Sequence, residues 1–197
     1  MQQRDEMIGK ERADIEGILK SSGAWLTGHF LLTSGKHSDQ FLLMARAFEH
    51  PEMGRRLGEA VAAPWRGEKI ATVVGPAMGG VILGYEVARA LGARAIYTEK
   101  TEQGGMALRR GFHLEAGERV LVVEDAVSTG GSVEKLLAAI RAYGPDIVGV
   151  GAVADRSGGR VNFGVRAAFA LTFDWPHHDP GECPLCREGR PLSRPKG

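Results

Sequence analysis

The run Val120-Leu121-Val122-Val123-Glu124-Asp125-Ala126-Val127-Ser128-Thr129-Gly130-Gly131-Ser132 constrains the fold more than any other stretch of the chain. Four consecutive apolar residues suit a strand covered on both faces, as the strands of a parallel sheet are. Beyond the run, Val133, Leu136, Leu137 and Ile140 recur at the spacing of an amphipathic helix, and Gly144-Pro145 stops it. The pattern predicts a strand over residues 120–123, a loop, and a helix beginning near Ser132.

A helix N-terminus facing the carboxyl end of a sheet presents unpaired N–H groups and a partial positive charge, a ready site for phosphate. Ser128, Thr129 and Ser132 add hydroxyl donors, and Gly130-Gly131 allow close backbone approach. Glu124 and Asp125 would repel a bare polyphosphate. Their place ahead of the phosphate loop therefore implies vicinal sugar hydroxyls, a metal ion, or both, and a 5-phosphorylated ribose meets both demands. The chain contains no G-x-x-x-x-G-K-[ST], so the nucleotide-binding P-loop is not an alternative.

The rest of the pattern reads as alternating strands and helices. An opening helix carries Ile8, Ile15, Ile18 and Leu19 and closes at Ser21-Ser22-Gly23; two short strands flank the polar turn Thr33-Ser34-Gly35-Lys36; a second helix over 51–63 puts Met53, Leu57 and Val61 on one face. Strands follow over 70–74, 95–98, 120–123, 147–153 and 167–173, with a crossover helix over 81–91. This order predicts an α/β fold, a mainly parallel sheet flanked by helices on both faces, within a single domain spanning 1–197. Residues 1–45 form a small N-terminal region and residues 175–197 a C-terminal tail.

Ligands of such sheets bind beyond the strands' carboxyl ends. Three loops rich in glycine or small polar residues reach that edge, 75–80, 125–132 and 155–159. The first is either a tight βα turn or, beside the phosphate loop, a backbone cradle for a second anionic group. The segment 99–119 has little apolar periodicity and carries Lys100, Arg109 and Arg110 with glycines at 104, 105 and 111. It reads as a lid closing over a polyanion. The alternative is a solvated β-hairpin held down by Met106 and Leu108, with its arginines in water.

Lysine and arginine total 25 against 24 acids, so no global field recruits nucleic acid. The apolar runs are strand-sized and the N-terminus is polar, which predicts neither membrane span nor signal peptide and a cytoplasmic protein. Cys183 and Cys186 form C-x-x-C in a tail rich in proline and glycine. With His177 and His178 they match no standard zinc pattern. The tail reads as loosely ordered with free thiols, a metal site or an oxidative disulfide being the alternatives.

The central run resembles the phosphoribosyl-pyrophosphate motif of the type I phosphoribosyltransferases. Three further pieces, in the right order, resemble the orotate phosphoribosyltransferase family. Phe30-Leu31-Leu32-Thr33-Ser34-Gly35-Lys36-x-Ser38 is similar to the F-x-L-x-S-G-x-x-S segment of its base-covering hood, Gly75-Pro76-Ala77-x-Gly79-Gly80 to its pyrophosphate loop, and Ala154-Asp155-Arg156 to the D-R pair whose arginine meets the orotate carboxylate.

The resemblance implies transfer of 5-phosphoribose from phosphoribosyl pyrophosphate to orotate. Asp125 and Glu124 then hold the ribose, and the loop Ala126, Val127, Ser128, Thr129, Gly130, Gly131 and Ser132 holds its 5′-phosphate. Pro76, Ala77 and Gly79 cradle pyrophosphate. Arg156, Lys36, Phe41 and Ser128 meet the base. Mg²⁺ is the implied cofactor, held mainly by substrate and water, and the implied assembly is a homodimer whose lid reaches the neighbouring site.

The chain departs from the family pattern twice: Thr33 stands where many members have lysine, and the lid lacks the basic run ending in Lys-x-His-Gly. Lys100 therefore becomes the expected catalytic cation, with Arg109 in support. The rival readings are a purine phosphoribosyltransferase, for which a buried arginine would be left unpaired, and a non-enzymatic regulator sensing phosphoribosyl pyrophosphate.

Overall fold

The computed structural model describes residues 2–195, with side chains from Gly9 to Pro195; the Ile8 side chain and residues 1 and 196–197 lie outside the described residues. The long α1 (Gln2–Ser21) leads into the antiparallel hairpin β1 (Trp25–Leu31) and β2 (His37–Leu42), and α2 (Pro51–Ala62) follows. Then come β3 (Thr72–Pro76), α3 (Gly79–Leu91), β4 (Arg94–Lys100), β5 (Met106–Leu108), β6 (Arg119–Val127), α4 (Gly131–Arg141), β7 (Asp146–Asp155), β8 (Ala167–Thr172) and the short α5 (Pro184–Arg187). The six-stranded sheet has the order β5-β4-β3-β6-β7-β8 and is parallel except for the β4/β5 pair.

The apolar run in β6 explains the layering. Leu121 and Val123 pack into one core with Leu57, Val61 and Trp65 from the α2 side and Leu83 and Val87 from α3. Val120 and Val122 point to the opposite face and meet Leu136, Leu137 and Ile140 of α4. A strand covered on both faces needs no polar alternation, and the sequence shows none. Helices α2 and α3 approach so closely that a Cβ on Gly58 would lie 2.5 Å from Glu86 Cβ.

The boundaries differ from the sequence expectation where tertiary pairing decides them. β6 runs four residues further than its apolar stretch, because Glu124 through Val127 stay in register with β7 as far as Val127 opposite Asp155. The acids therefore lie on the strand and not in the loop after it. Sheet pairing outweighs the poor strand propensity of Glu and Asp. Helix α4 begins at Gly131, after Gly130 in the left-handed conformation at φ 84°. On β3 the strand is shifted to 72–76, and Gly79 and Gly80 open α3 instead of lying in a loop.

Two larger expectations change. Within 99–119 the chain turns back on itself: β5 pairs antiparallel with β4 from Thr98 opposite Leu108 to Lys100 opposite Met106. Met106 and Leu114 are buried and Leu108 packs against the same core, so this is the hairpin alternative, with Arg109 and Arg110 exposed. The tail is also ordered. Trp175 stacks on Phe173 with ring centroids 4.4 Å apart, Cys183 is fully buried, and the backbone of His178 and Ser193 bonds to the β1–β2 hairpin. Among the described residues no helix is long and apolar enough to cross a membrane.

Candidate active site

Strands β3 and β6 are neighbours whose connections leave in opposite directions, β3 towards β4 and β6 towards β7. A crevice opens at the carboxyl ends of such a pair, where open α/β sheets bind ligands. The loop before α3 and the segment 124–132 meet there. A Cβ on Gly79 would fall 2.6 Å from Asp125 Oδ2, so only glycine lets the two come this close.

At the α4 N-terminus a pocket of about 50 Å³ is lined by Glu124 and residues 126–133. Ser128 and Thr129 stand exposed at its mouth, and Gly130 presses against Phe163, which a Cβ there would approach to 2.9 Å. The first N–H groups of the helix have no intrahelical acceptor. The pocket therefore offers hydroxyls, free amides and the positive end of the helix dipole to one small anion.

Glu124, buried, lines the inner edge of this pocket, and Asp125, half-buried, faces Gly79 beside it. Burial, and then the Asp125 charge beside it, raises the Glu124 carboxyl well above the usual carboxylate range, while the Lys100 ammonium pulls it down. Burial likewise raises Asp125, opposed by the Ala126 N–H that donates to Oδ1 over 2.6 Å. Two neighbouring carboxyls drawn out of water hold their protons more tightly than exposed ones, and a cation developing beside them would favour their ionised forms.

Lys100 ends β4 on the same edge, exposed. Arg109 is exposed with no side-chain hydrogen bond or ion pair among the described residues, and nothing brings it against the acids. In the cradle, Pro76 has no N–H and the Ala77 N–H donates to Thr98 O over 2.8 Å, so neither offers a backbone donor to a ligand. The amides of Gly79 and Gly80 open α3. Of the cradle expected from the sequence, the Ala77 amide is taken by the β3/β4 register and Pro76 has no N–H to offer.

The third loop carries Arg156. Asp155 is fully buried, and its two oxygens accept N–H bonds from Ser157 and Gly159, each 2.7 Å. It thereby shapes the turn, and the Arg156 N–H is tied to Val127 O at 2.7 Å, next to the phosphate pocket. The guanidinium carbon lies 5.9 Å from the Phe41 ring and 5.8 Å from the Trp175 ring. Its Nε is buried with no partner, and burial lowers its pKa. His177 is held below the usual histidine range by burial and then by the positive charges of Arg156 and Lys36. Lys36 itself stands 3.8 Å from Asp179.

The structure thus brings Glu124, Asp125, the 126–132 loop, Gly79 and Lys100 to one edge, with Arg156, Phe41 and Lys36 beside them. Sequence reasoning missed Trp175 and the loop-shaping role of Asp155. The Trp-Pro-His-His cluster at 175–178 was the only local signal for the former, and for the latter the D-R pair itself.

A phosphoribosyl transferase domain matches residues 48–165. The chain is 50% identical to the orotate phosphoribosyltransferase of Thermotoga maritima over 92% of its own length and 96% of the relative's. It is 48% identical to that of Thermus thermophilus over 91% and 98%. Among solved structures it resembles the orotate phosphoribosyltransferase of Mycobacterium tuberculosis with a TM-score of 0.68 and 23% identity, covering 83% of this chain and 97% of that one, a likeness of fold. The matched domain and relatives aligned over more than 90% of both chains agree: the chain belongs to the orotate phosphoribosyltransferase family.

Proposed function

We propose that this protein displaces pyrophosphate from the anomeric carbon of phosphoribosyl pyrophosphate with a ring nitrogen of orotate, giving orotidine 5′-phosphate. The observation that carries the choice of base is Arg156. Its guanidinium lies between two aromatic rings with a buried Nε that nothing among the described residues satisfies. Arg156 is half-buried, and an Nε cut off from water with no partner favours a ligand that completes it. A planar base bearing a carboxylate matches the planar fork and slides between the rings. A neutral purine would leave the cation unpaired.

The remaining roles follow from position. The 5′-phosphate sits in the pocket at the start of α4, and Glu124 and Asp125 lie beneath the ribose. Positive charge developing on the ring oxygen and anomeric carbon draws these two raised carboxyls towards their ionised forms, so they favour the transition state over the ground state. Lys100 and the opening amides of α3 face the departing pyrophosphate. Lys36 adds positive charge at the base.

Glu124 and Asp125 are the hard oxygen donors nearest the crevice, and Asp125 Oδ1 is already engaged by Ala126 N–H. So few donors suit Mg²⁺ that keeps its waters and rides on substrate phosphates, where it offsets charge on the leaving group. A homodimer fits the exposed apolar residues Met78, Ile82 and Tyr85, which recur along one side of the α3 start.

The test compares pyrophosphate release with orotate, adenine and xanthine as acceptors. Orotate alone should support turnover. Arg156→Ala should cut kcat/KM for orotate by about 10–100-fold, the worth of a charge-assisted pair, with little change in KM for phosphoribosyl pyrophosphate. Turnover of a purine and not of orotate would reject the assignment.

A further inference from the structure

Away from the crevice, four side chains that bind soft metals converge from the two ends of the chain. His29 on β1 and His37 on β2 are diagonal neighbours across the hairpin, and Cys183 and Cys186 bracket the start of α5; one ligand atom from each lies within 4.8 Å of all the others. His29 Nε2 is 3.0 Å from His37 Nδ1 and 3.5 Å from Cys183 Sγ. Cys186 Sγ is 3.7 Å from His29 Nε2 and 3.3 Å from His37 Nδ1. A zinc ion with bonds of about 2.0–2.1 Å to nitrogen and about 2.3 Å to sulfur, at tetrahedral angles, separates its ligand atoms by roughly 3.3–3.8 Å. Four of the six separations, from 3.0 to 3.7 Å, already stand near those values, the other two lie within 4.8 Å, and both thiols are free.

The surroundings fit as well. His29, His37 and Cys183 are buried. His29 Nδ1 lies 2.9 Å from Arg190 O, so that nitrogen carries the proton and donates to the carbonyl. The tautomer leaves the Nε2 lone pair facing the cluster, the outer-shell arrangement that metal-bound histidines use. The backbone places the ligands with equal care. The tail bonds to both outer edges of the hairpin, through His37 and His178 in both directions (2.8 and 2.9 Å) and through Ser193 to His29 and Leu31 (2.9 and 3.0 Å). Between those two ladders α5 carries the cysteines across the hairpin.

We infer that His29, His37, Cys183 and Cys186 form a structural zinc site that clamps the C-terminal segment onto the β1–β2 hairpin. Four protein ligands of S₂N₂ type close the coordination sphere, leave no position for substrate, and select zinc over hard cations. Binding replaces the two thiol protons by one Zn²⁺, the protons go to solvent, and nothing is oxidised or reduced. The clamp fixes the elements that bear Lys36, Phe41 and Trp175.

The experiment uses the full chain, stripped with a chelator under reducing conditions and reloaded with Zn²⁺ alone, then desalted and analysed for metal. One zinc per chain should remain. Its removal should lower Tm by roughly 5–10 °C when free zinc is held about a hundredfold above its Kd. With Co²⁺ in place of Zn²⁺, the wild type should show intense visible bands of a tetrahedral site and sulfur-to-cobalt charge transfer in the near ultraviolet. Cys186 is exposed, so Cys186→Ser should fold and lose the charge-transfer intensity in part, and His37→Ala should lose the tetrahedral bands. Reduced, folded wild type that keeps no metal after desalting overturns the proposal. So does a Cys186→Ser variant whose cobalt spectrum and zinc content match the wild type.

Discussion

The half of the crevice proposed for phosphoribose and the half proposed for the base are built in opposite ways. The first is nearly continuous in sequence: the acids, the phosphate loop and the α4 N-terminus occupy residues 124–132, and only Gly79 and Lys100 come from elsewhere. The second is collected from Phe41 on β2, Arg156 after β7, and Trp175 after β8, and held by the contact of the tail with the hairpin. A site made by one strand-to-helix turn inherits its geometry from the sheet. A site made from chain ends needs its own brace, and the cluster of His29, His37, Cys183 and Cys186 lies where such a brace is wanted.

The sharpest way to break this division is Asp125→Asn, which keeps the Oδ1 that accepts the Ala126 N–H and removes one charge. Turnover should fall about 10²–10³-fold, the scale of losing one preorganised electrostatic contact. Orotate binding measured by calorimetry should be unchanged, and Tm should hold or rise because two raised carboxyls no longer compete. A matching loss of orotate affinity would mean that the halves are not separable.

Legibility in the sequence follows the same line. The run 120–132 announced strand, loop and helix because local periodicity and local turn chemistry set them, and β6 and α4 lie there within a few residues. What escaped was non-local. No window around Glu124 reveals that β7 keeps pairing with it, and no window around Ala77 reveals that Thr98 takes its N–H. The cysteines were weighed against His177 and His178 because those are near in sequence, whereas the fold delivers His29 and His37 from the other end of the chain. In 99–119 the apolar residues were too few to show a period, yet Met106 and Leu114 are enough to pin a hairpin.

A smaller effect is expected at Lys100, which approaches the acids from the β4 side and is exposed. Lys100→Ala should lower kcat by about 10–100-fold and leave the KM of both substrates close to wild type, as for a contact made mainly with the departing pyrophosphate. Steady-state kinetics with each substrate varied in turn decides this. Parallel losses in kcat and in pyrophosphate affinity would make Lys100 a plain binding residue, and the cradle at α3 would then carry the leaving group alone.

The smallest effect separates the halves by pH. Glu124 titrates in the unfolded chain near the ordinary 4.5 and in the folded protein above it, raised by burial and by Asp125. Between those values the folded state holds a proton that the unfolded chain has lost. The stability tied to this group is complete below the ordinary value and fades as pH rises through the folded one. Gln is neutral throughout, so Glu124→Gln should match the wild-type Tm near about pH 5 and exceed it by about 2–4 °C near about pH 9, the shift that ~1 kcal/mol produces in a domain this size. Arg156, although lowered by burial, remains a cation over that span, and Arg156→Ala, which releases His177 towards its ordinary 6.5, should leave the slope of Tm against pH untouched above about pH 8. A Glu124→Gln offset that is the same at every pH would show the acid to be solvated and its effect to be packing, and the phosphoribose half would lose the buried acid on which its chemistry rests.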